Sequence, residues 1–183
     1  REYPGVSAIL DFTQDGVGTQ VSFTGGRGNE TVVVTLAANS TFDDFTGGLG
    51  DDRLIIVADG GSIGQFTGSI NLKGDKADSS GTGTDTLHVV GTLDLSNATI
   101  AQFENLVIDN ASAKTVTISQ SQLASFAGTI TGDGVSKLVL TGSSVDISST
   151  GLAFSNVTTV ELAANMVLTI SLSQLGKIGT VDT

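Results

Sequence analysis

The sequence predicts an all-β fold, a parallel β-solenoid of the β-roll or β-helix type with coils of roughly 20–25 residues. Three observations support this. Phe23-Thr24-Gly25-Gly26 returns as Phe45-Thr46-Gly47-Gly48 and, more loosely, as Phe66-Thr67-Gly68-Ser69, at spacings of 22 and 21 residues. Runs rich in Val, Ile, Thr and Phe, such as Thr31–Leu36, Arg53–Ala58 and 87–90, are punctuated by Gly, Asn, Asp and Ser, the pattern of short strands between tight turns. A longer repeat occupies the second half. Val116-Thr117-Ile118-Ser119 with Ser121-Gln122-Leu123 recurs 52 residues later as Leu168-Thr169-Ile170-Ser171 with Ser173-Gln174-Leu175, and Leu93-Asp94-Leu95 recurs at the same distance as Val145-Asp146-Ile147. Such repeats bury their apolar side chains only when coil stacks on coil.

Along the chain, residues 1–6 hold the only proline, Pro4, and a charged pair, and are expected to be an N-terminal extension or cap. Residues 7–183 read as a single solenoid domain. At ~22 residues per coil and ~4.8 Å per strand, about eight coils would make a rod roughly 40 Å long. The helical candidate is 119–126, echoed at 171–175, as a single turn between strands. The recurrent Phe23, Phe45 and Phe66 are expected to stack inside, since repeats place equivalent side chains above one another. The threonine rows Thr82-x-Thr84-x-Thr86, Thr115-x-Thr117 and Thr129-x-Thr131 do not recur at one coil position, so β-propensity accounts for them.

Composition narrows the partners. The net charge is −11, with 19 acidic residues against eight basic ones, which argues against nucleic acid and anionic membrane surfaces and favours cations. A 39% hydrophobic content is too apolar for a disordered chain. There is no cysteine and one histidine, His88, so a zinc site is not expected; the abundant carboxylates suit a hard cation, calcium above all. No apolar run approaches the ~18 residues of a membrane span, and no membrane insertion is expected. The start, Arg1-Glu2-Tyr3-Pro4, lacks the basic and apolar regions of a signal peptide. Export without such a signal, a processed product and an excised piece are the alternatives.

The best-defined motif is Gly47-Gly48-Leu49-Gly50-Asp51-Asp52-Arg53-Leu54-Ile55, which matches Gly-Gly-x-Gly-x-Asp-x-(apolar)-x at every defined position. A copy at 25–32 has Glu30 at the aspartate position, and a copy at 80–87 keeps Asp85. The stretch 132–138 has Ser136 there. This pattern resembles the RTX family of secreted bacterial proteins, in which glycine turns expose carbonyls and the aspartate completes a calcium shell. The resemblance implies Ca²⁺ held by Gly26, Gly28, Glu30, Gly48, Gly50, Asp51, Asp52, Gly81, Gly83 and Asp85. By charge, a calcium-rich half over 7–91 and a calcium-poor half over 92–183 are expected. Family motifs run in tandem, whereas here each stands alone in a longer coil, so at most one edge should carry ions.

The resemblance also implies a secreted or bacterial cell-surface setting, as in an S-layer, a large adhesin or a surface filament. The expected partners are copies of the chain, as a homo-oligomer or head-to-tail polymer, with cell-surface polysaccharide as a further one. No enzyme activity is expected. The alternative, a β-helix module of a secreted polysaccharide-acting enzyme, needs a base beside calcium or carboxylates paired across a cleft. Only Arg27, Arg53, Lys73 and Lys76 lie near the acidic turns, and with no Trp and one Tyr the chain has no aromatic platform for sugars. Alternation in 87–90 makes His88 an outward-facing neighbour of inward Leu87 and Val89, a structural residue by default.

Overall fold

β-Branched runs with one apolar face become strands, and the glycine-rich stretches between them become corners. A computed structural model describes residues 7–11, 22–36, 44–58, 64–65, 71–75, 83–109 and 114–183. The first strands are β1 (Ser7–Asp11), β2 (Ser22–Thr24), β3 (Thr31–Leu36), β4 (Asp44–Gly48), β5 (Arg53–Ala58), β6 (Gly64–Gln65), β7 (Asn71–Asp75), β8 (Thr86–Val90) and β9 (Leu93–Asp94). They are followed by β10 (Thr99–Ala101), β11 (Asn105–Asp109), β12 (Thr115–Ser119), helix α1 (Gln120–Ser125), β13 (Thr129–Thr131), β14 (Lys137–Thr141) and β15 (Val145–Asp146). The last are β16 (Ala153–Ser155), β17 (Val157–Leu162), β18 (Leu168–Thr169), helix α2 (Leu172–Leu175) and β19 (Ile178–Asp182).

All described strand pairs are parallel and join one coil to the next, which makes the chain a β-solenoid. The longest sheet runs β1-β3-β5-β8-β11-β13-β16; a second runs β10-β7-β4-β2, a third β19-β17-β14-β12-β9-β6, and β15 pairs with β18. Seven strands in the first sheet mark about six turns rather than eight, because the coils are unequal. Equivalent corner residues are 22 apart from Glu30 to Asp52, 33 from Asp52 to Asp85 and 19 from Asp85 to Glu104. At ~4.8 Å per strand the stacked sheet is roughly 30 Å long.

The core is a set of side-chain ladders between the sheets. Val32, Leu54, Leu87, Leu106, Ile130 and Phe154 occupy one register row, and none is more than 3% exposed. Each fully buried side chain of this size is worth about 1.5–3 kcal/mol, but only while the neighbouring coil covers it. Phe23 stacks on Phe45 at 5.6 Å and Phe45 on Phe103 at 6.0 Å. The phenylalanine stack is thus interior, with Phe103 as its third member; Phe66 lies outside the described residues.

The two helical turns have a local cause. Ser119 Oγ accepts the Gln122 N–H at 3.3 Å, and Gln122 Oε1 accepts the Ser119 N–H at 2.7 Å, a reciprocal cap at the N-terminus of α1. A six-residue helix is unstable alone. It is held because buried Gln122 Nε2 donates to the carbonyls of Leu95 and Ala98 in the preceding coil. Ser171 and Gln174 repeat the cap at α2, with Gln174 Nε2 donating to Ile147 and Leu152. Among the described residues, no helix is long and apolar enough to cross a membrane.

Candidate functional site: a buried carboxylate ladder

At the corner that leads into β3, β5, β8 and β11, each coil places an acidic residue directly before the strand. The Glu30 N–H donates to Asp52 Oδ1, the Asp52 N–H to Asp85 Oδ1 and the Asp85 N–H to Glu104 Oε2, each at 2.7 Å. The carboxylates therefore form a continuous ladder along the solenoid, in which Asp52, Asp85 and Glu104 each accept a main-chain N–H from the coil before. Glu30, Asp52 and Asp85 are at most 2% exposed. A second ladder runs beside it in the opposite sense: Asp51 N–H donates back to Asn29 Oδ1 at 3.0 Å and Thr84 N–H to Asp51 Oδ1 at 2.8 Å. Hydrogen bonds in both directions pin the coil register at this edge, where the regular strand ladder has ended.

Burying a carboxylate is costly unless its oxygens are satisfied, and here only one side of the account is met. Asp52 Oδ2 and both side-chain oxygens of Glu30 are shielded from solvent and take no hydrogen bond. Burial first, then the neighbouring Glu30 and Asp51 carboxylates, push Asp52 up to about 6 against the lowering pull of the Glu30 backbone N–H.

Glycine faces each of these acids. A Cβ on Gly47 would strike Asp52 Oδ2 and the Gly74 carbonyl oxygen; one on Gly74 would strike Asp85 Oδ2 and the Gln102 carbonyl. At Gly25 the same clash involves Glu30 Oε2 and the Gly47 carbonyl. At each of these corners a carboxylate oxygen and a main-chain oxygen of the next coil fill the space a side chain would need, so only glycine lets the coils stack this closely. Hard oxygen donors of this kind are what calcium selects. Among the described residues no three His, Cys, Asp or Glu side chains converge to hold a metal. An ion at this edge would therefore draw on Glu30 and Asp52 together with main-chain carbonyls.

The structure sorts the residues predicted from the motif. Glu30, Asp52 and Asp85 come together as the buried ladder, while Asp51 points outward and is exposed. The Gly26 carbonyl accepts the Leu49 N–H at 2.9 Å. Gly48 and Gly50 adopt φ of +123° and +122°, and the carbonyls of Gly28 and Gly50 press on the α-carbons of Gly50 and Gly83 in the next coil. These glycines let coils approach closely. Gly81 lies outside the described residues, as does Lys76. Ser136 does not continue the row: it precedes β14, which belongs to another sheet. The next rung is Glu104, followed by Asn105, whose Oδ1 accepts the Thr129 N–H at 2.9 Å. Glu104 was missed because no glycine corner precedes it. The signal that finds it is an acid two residues before the inward apolar residue: Glu30/Val32, Asp52/Leu54, Asp85/Leu87 and Glu104/Leu106.

A second polar cluster lies on the outer face of the same sheet. His88 faces outward from β8 as its alternation predicts, yet it is only 7% exposed. Arg53 Nη2 lies 2.7 Å from His88 Nδ1, and His88 Nε2 lies 3.5 Å from Asp109 Oδ2. Burial, then the Arg53 charge, holds the imidazole below its ordinary pKa, which outweighs the raising pull of Asp109. A neutral ring that accepts from Arg53 at Nδ1 carries its proton on Nε2, towards Asp109. The three side chains tie β5, β8 and β11 together. No family model, curated protein or solved structure matches the chain.

Proposed function

We propose that the chain is a structural or adhesive module of a bacterial extracellular surface protein, such as an S-layer, adhesin or filament component, stiffened by calcium along its acidic corner. The observation that carries this reading is the buried ladder itself: Glu30 and Asp52 carboxylates with bare oxygens, packed with main-chain carbonyls against glycines of the neighbouring coils, inside a rod filled by side chains. The RTX resemblance of 47–55 supports the extracellular setting and the choice of cation.

Bound calcium supplies the positive charge that the Glu30 and Asp52 carboxylates otherwise lack. These two residues would hold it, while Asp85 and Glu104 continue the hydrogen-bonded ladder below. Without the ion, ionised Glu30 and Asp52 repel across the coil boundary and loosen the stack. At ~100 times its dissociation constant, an ion bound only by the folded chain stabilises it by about 2.7 kcal/mol per site. External calcium then acts as a folding signal for a module that leaves the cell loosely structured. The test is a calcium titration of chelator-treated protein, followed by circular dichroism and thermal unfolding. Expected are a gain in β-signal or melting temperature with Ca²⁺ and its loss in D52N. No response to calcium up to ~10 mM, the weak end of extracellular calcium sites and beyond, would sink the calcium reading.

A further inference from the structure

The Arg53–His88–Asp109 cluster lies apart from the carboxylate ladder and joins three coils on the outer face of the longest sheet. The residues level with His88 in register are Ile55 on β5 and Val107 on β11, both aliphatic. Arg53, level with Thr86, and Asp109, level with Val90, therefore reach the ring diagonally from opposite sides. Between these neighbours the ring is buried although it faces outward. Its two nitrogens are in opposite situations. Nδ1 lies 2.7 Å from Arg53 Nη2, whereas Nε2 is shielded from solvent and makes no hydrogen bond, with Asp109 Oδ2 standing off at 3.5 Å. The Asp109 side chain is 63% exposed and has room to close that gap. Among the described residues, the remaining outward positions of β5, β8 and β11 are Ile55, Val57, Thr86, Val90, Asn105 and Val107, so no other charged group of these strands faces the ring.

A guanidinium offers donors only and keeps its charge in proteins, so the Arg53 contact lasts only while Nδ1 keeps its lone pair. A proton on Nδ1 sets two donors and two positive charges face to face there, while it makes Nε2–H a charged donor beside a carboxylate. We propose that His88 is a proton-operated latch: the neutral ring holds Arg53 across the boundary between β5 and β8, and the protonated ring releases Arg53 and closes on Asp109. The inference goes beyond the calcium reading and uses neither Glu30 nor Asp52. Burial, then the Arg53 charge, keep the ring neutral at pH 7, so the latch opens only in acid, below the ordinary 6.5. The boundary it guards spans the 33-residue step from Asp52 to Asp85. Opening frees a guanidinium on an acidic chain and removes a side-chain tie between β5 and β8, while their main-chain pairing stays in place.

Proton–nitrogen NMR of the isotope-labelled 183-residue chain in chelator, from pH ~7.5 to ~4.5, follows the ring and the guanidinium together. In wild type the ring should carry its proton on Nε2 at the upper end. The Arg53 Nη protons should be visible there, because the hydrogen bond slows their rotation and exchange, and should fall to half intensity as the ring reaches half-protonation. In H88Q, whose amide oxygen accepts from Arg53 and does not titrate, those signals should persist across the range. R53M should move the ring's midpoint up and D109N should move it down. Arg53 signals that survive the ring's titration, signals that fade equally in H88Q, or midpoints that R53M and D109N leave in place would overturn the proposal. The wild-type titration needs no variant, which keeps the test valid if one of them folds poorly. A latch that fails in chelator leaves the calcium response of the ladder standing, and a ladder indifferent to calcium leaves the latch standing.

Discussion

Asp52→Asn isolates the cost of the buried ladder. The asparagine keeps an oxygen for the Glu30 N–H, now accepted by Asp52 Oδ1 at 2.7 Å, and removes the negative charge that sits buried beside the Glu30 carboxylate. Asp52 is raised from 3.8 to about 6, so the folded chain binds its proton more tightly than the unfolded chain does. Stability from this group is therefore fully present below about pH 4 and is lost as pH rises through about 6. That difference in proton affinity corresponds to roughly 3 kcal/mol. Urea unfolding of wild type and D52N in chelator, from pH 4 to 8, reads the difference. The unfolding free energy of wild type relative to D52N should fall by roughly 3 kcal/mol between pH 4 and 7, with unchanged m-values. Calcium should reverse the trend, because the ion binds the ionised form. A difference that is flat or rises with pH in chelator would refute the reasoning: the ladder would then be satisfied in a way its hydrogen bonds do not reveal.

The same contacts predict three further results. Gly47→Ala drives a methyl group into Asp52 Oδ2 and the Gly74 carbonyl and should cost ~3 kcal/mol or more, against ~1–2 for Gly134→Ala, where φ is +85° but nothing lies within 4 Å; thermal unfolding of the pair separates packing from backbone strain. Gln122→Leu leaves the buried Leu95 and Ala98 carbonyls without their side-chain donor and breaks the cap of α1, for a loss of about 2–4 kcal/mol measured by denaturant midpoint. The His88 ring should titrate below its ordinary 6.5 by proton NMR. Its contribution is present above 6.5 and lost as pH falls towards the depressed folded value, so a titration above 6.5 would show that Asp109 rather than burial and Arg53 governs the ring.

The solenoid was legible because its cause is periodic. Repeated Phe-Thr-Gly-Gly and strands such as 31–36 and 53–58 recur at coil spacing, and stacking turns each recurrence into a register row: Val32 over Leu54, Phe23 over Phe45. The short helices were legible too, since Ser119-x-x-Gln122 and Ser171-x-x-Gln174 carry their own caps. Coil count was less so. The 33-residue step from Asp52 to Asp85 breaks the period, yet β8 still pairs with β5 in register.

The ladder divides differently. The amino-acid sequence by itself determined that Glu30, Asp52 and Asp85 occupy equivalent corners, because equivalence follows from local spacing. It did not reveal that their side chains turn inward, that Glu104 is the next rung, or that Gly25, Gly47 and Gly74 face them. Those facts depend on which strand the chain joins after each corner and how closely the coils stack. Only the tertiary structure decided them, because a carboxylate's burial and hydrogen-bond partner are supplied by the coil above or below, 19 to 33 residues away.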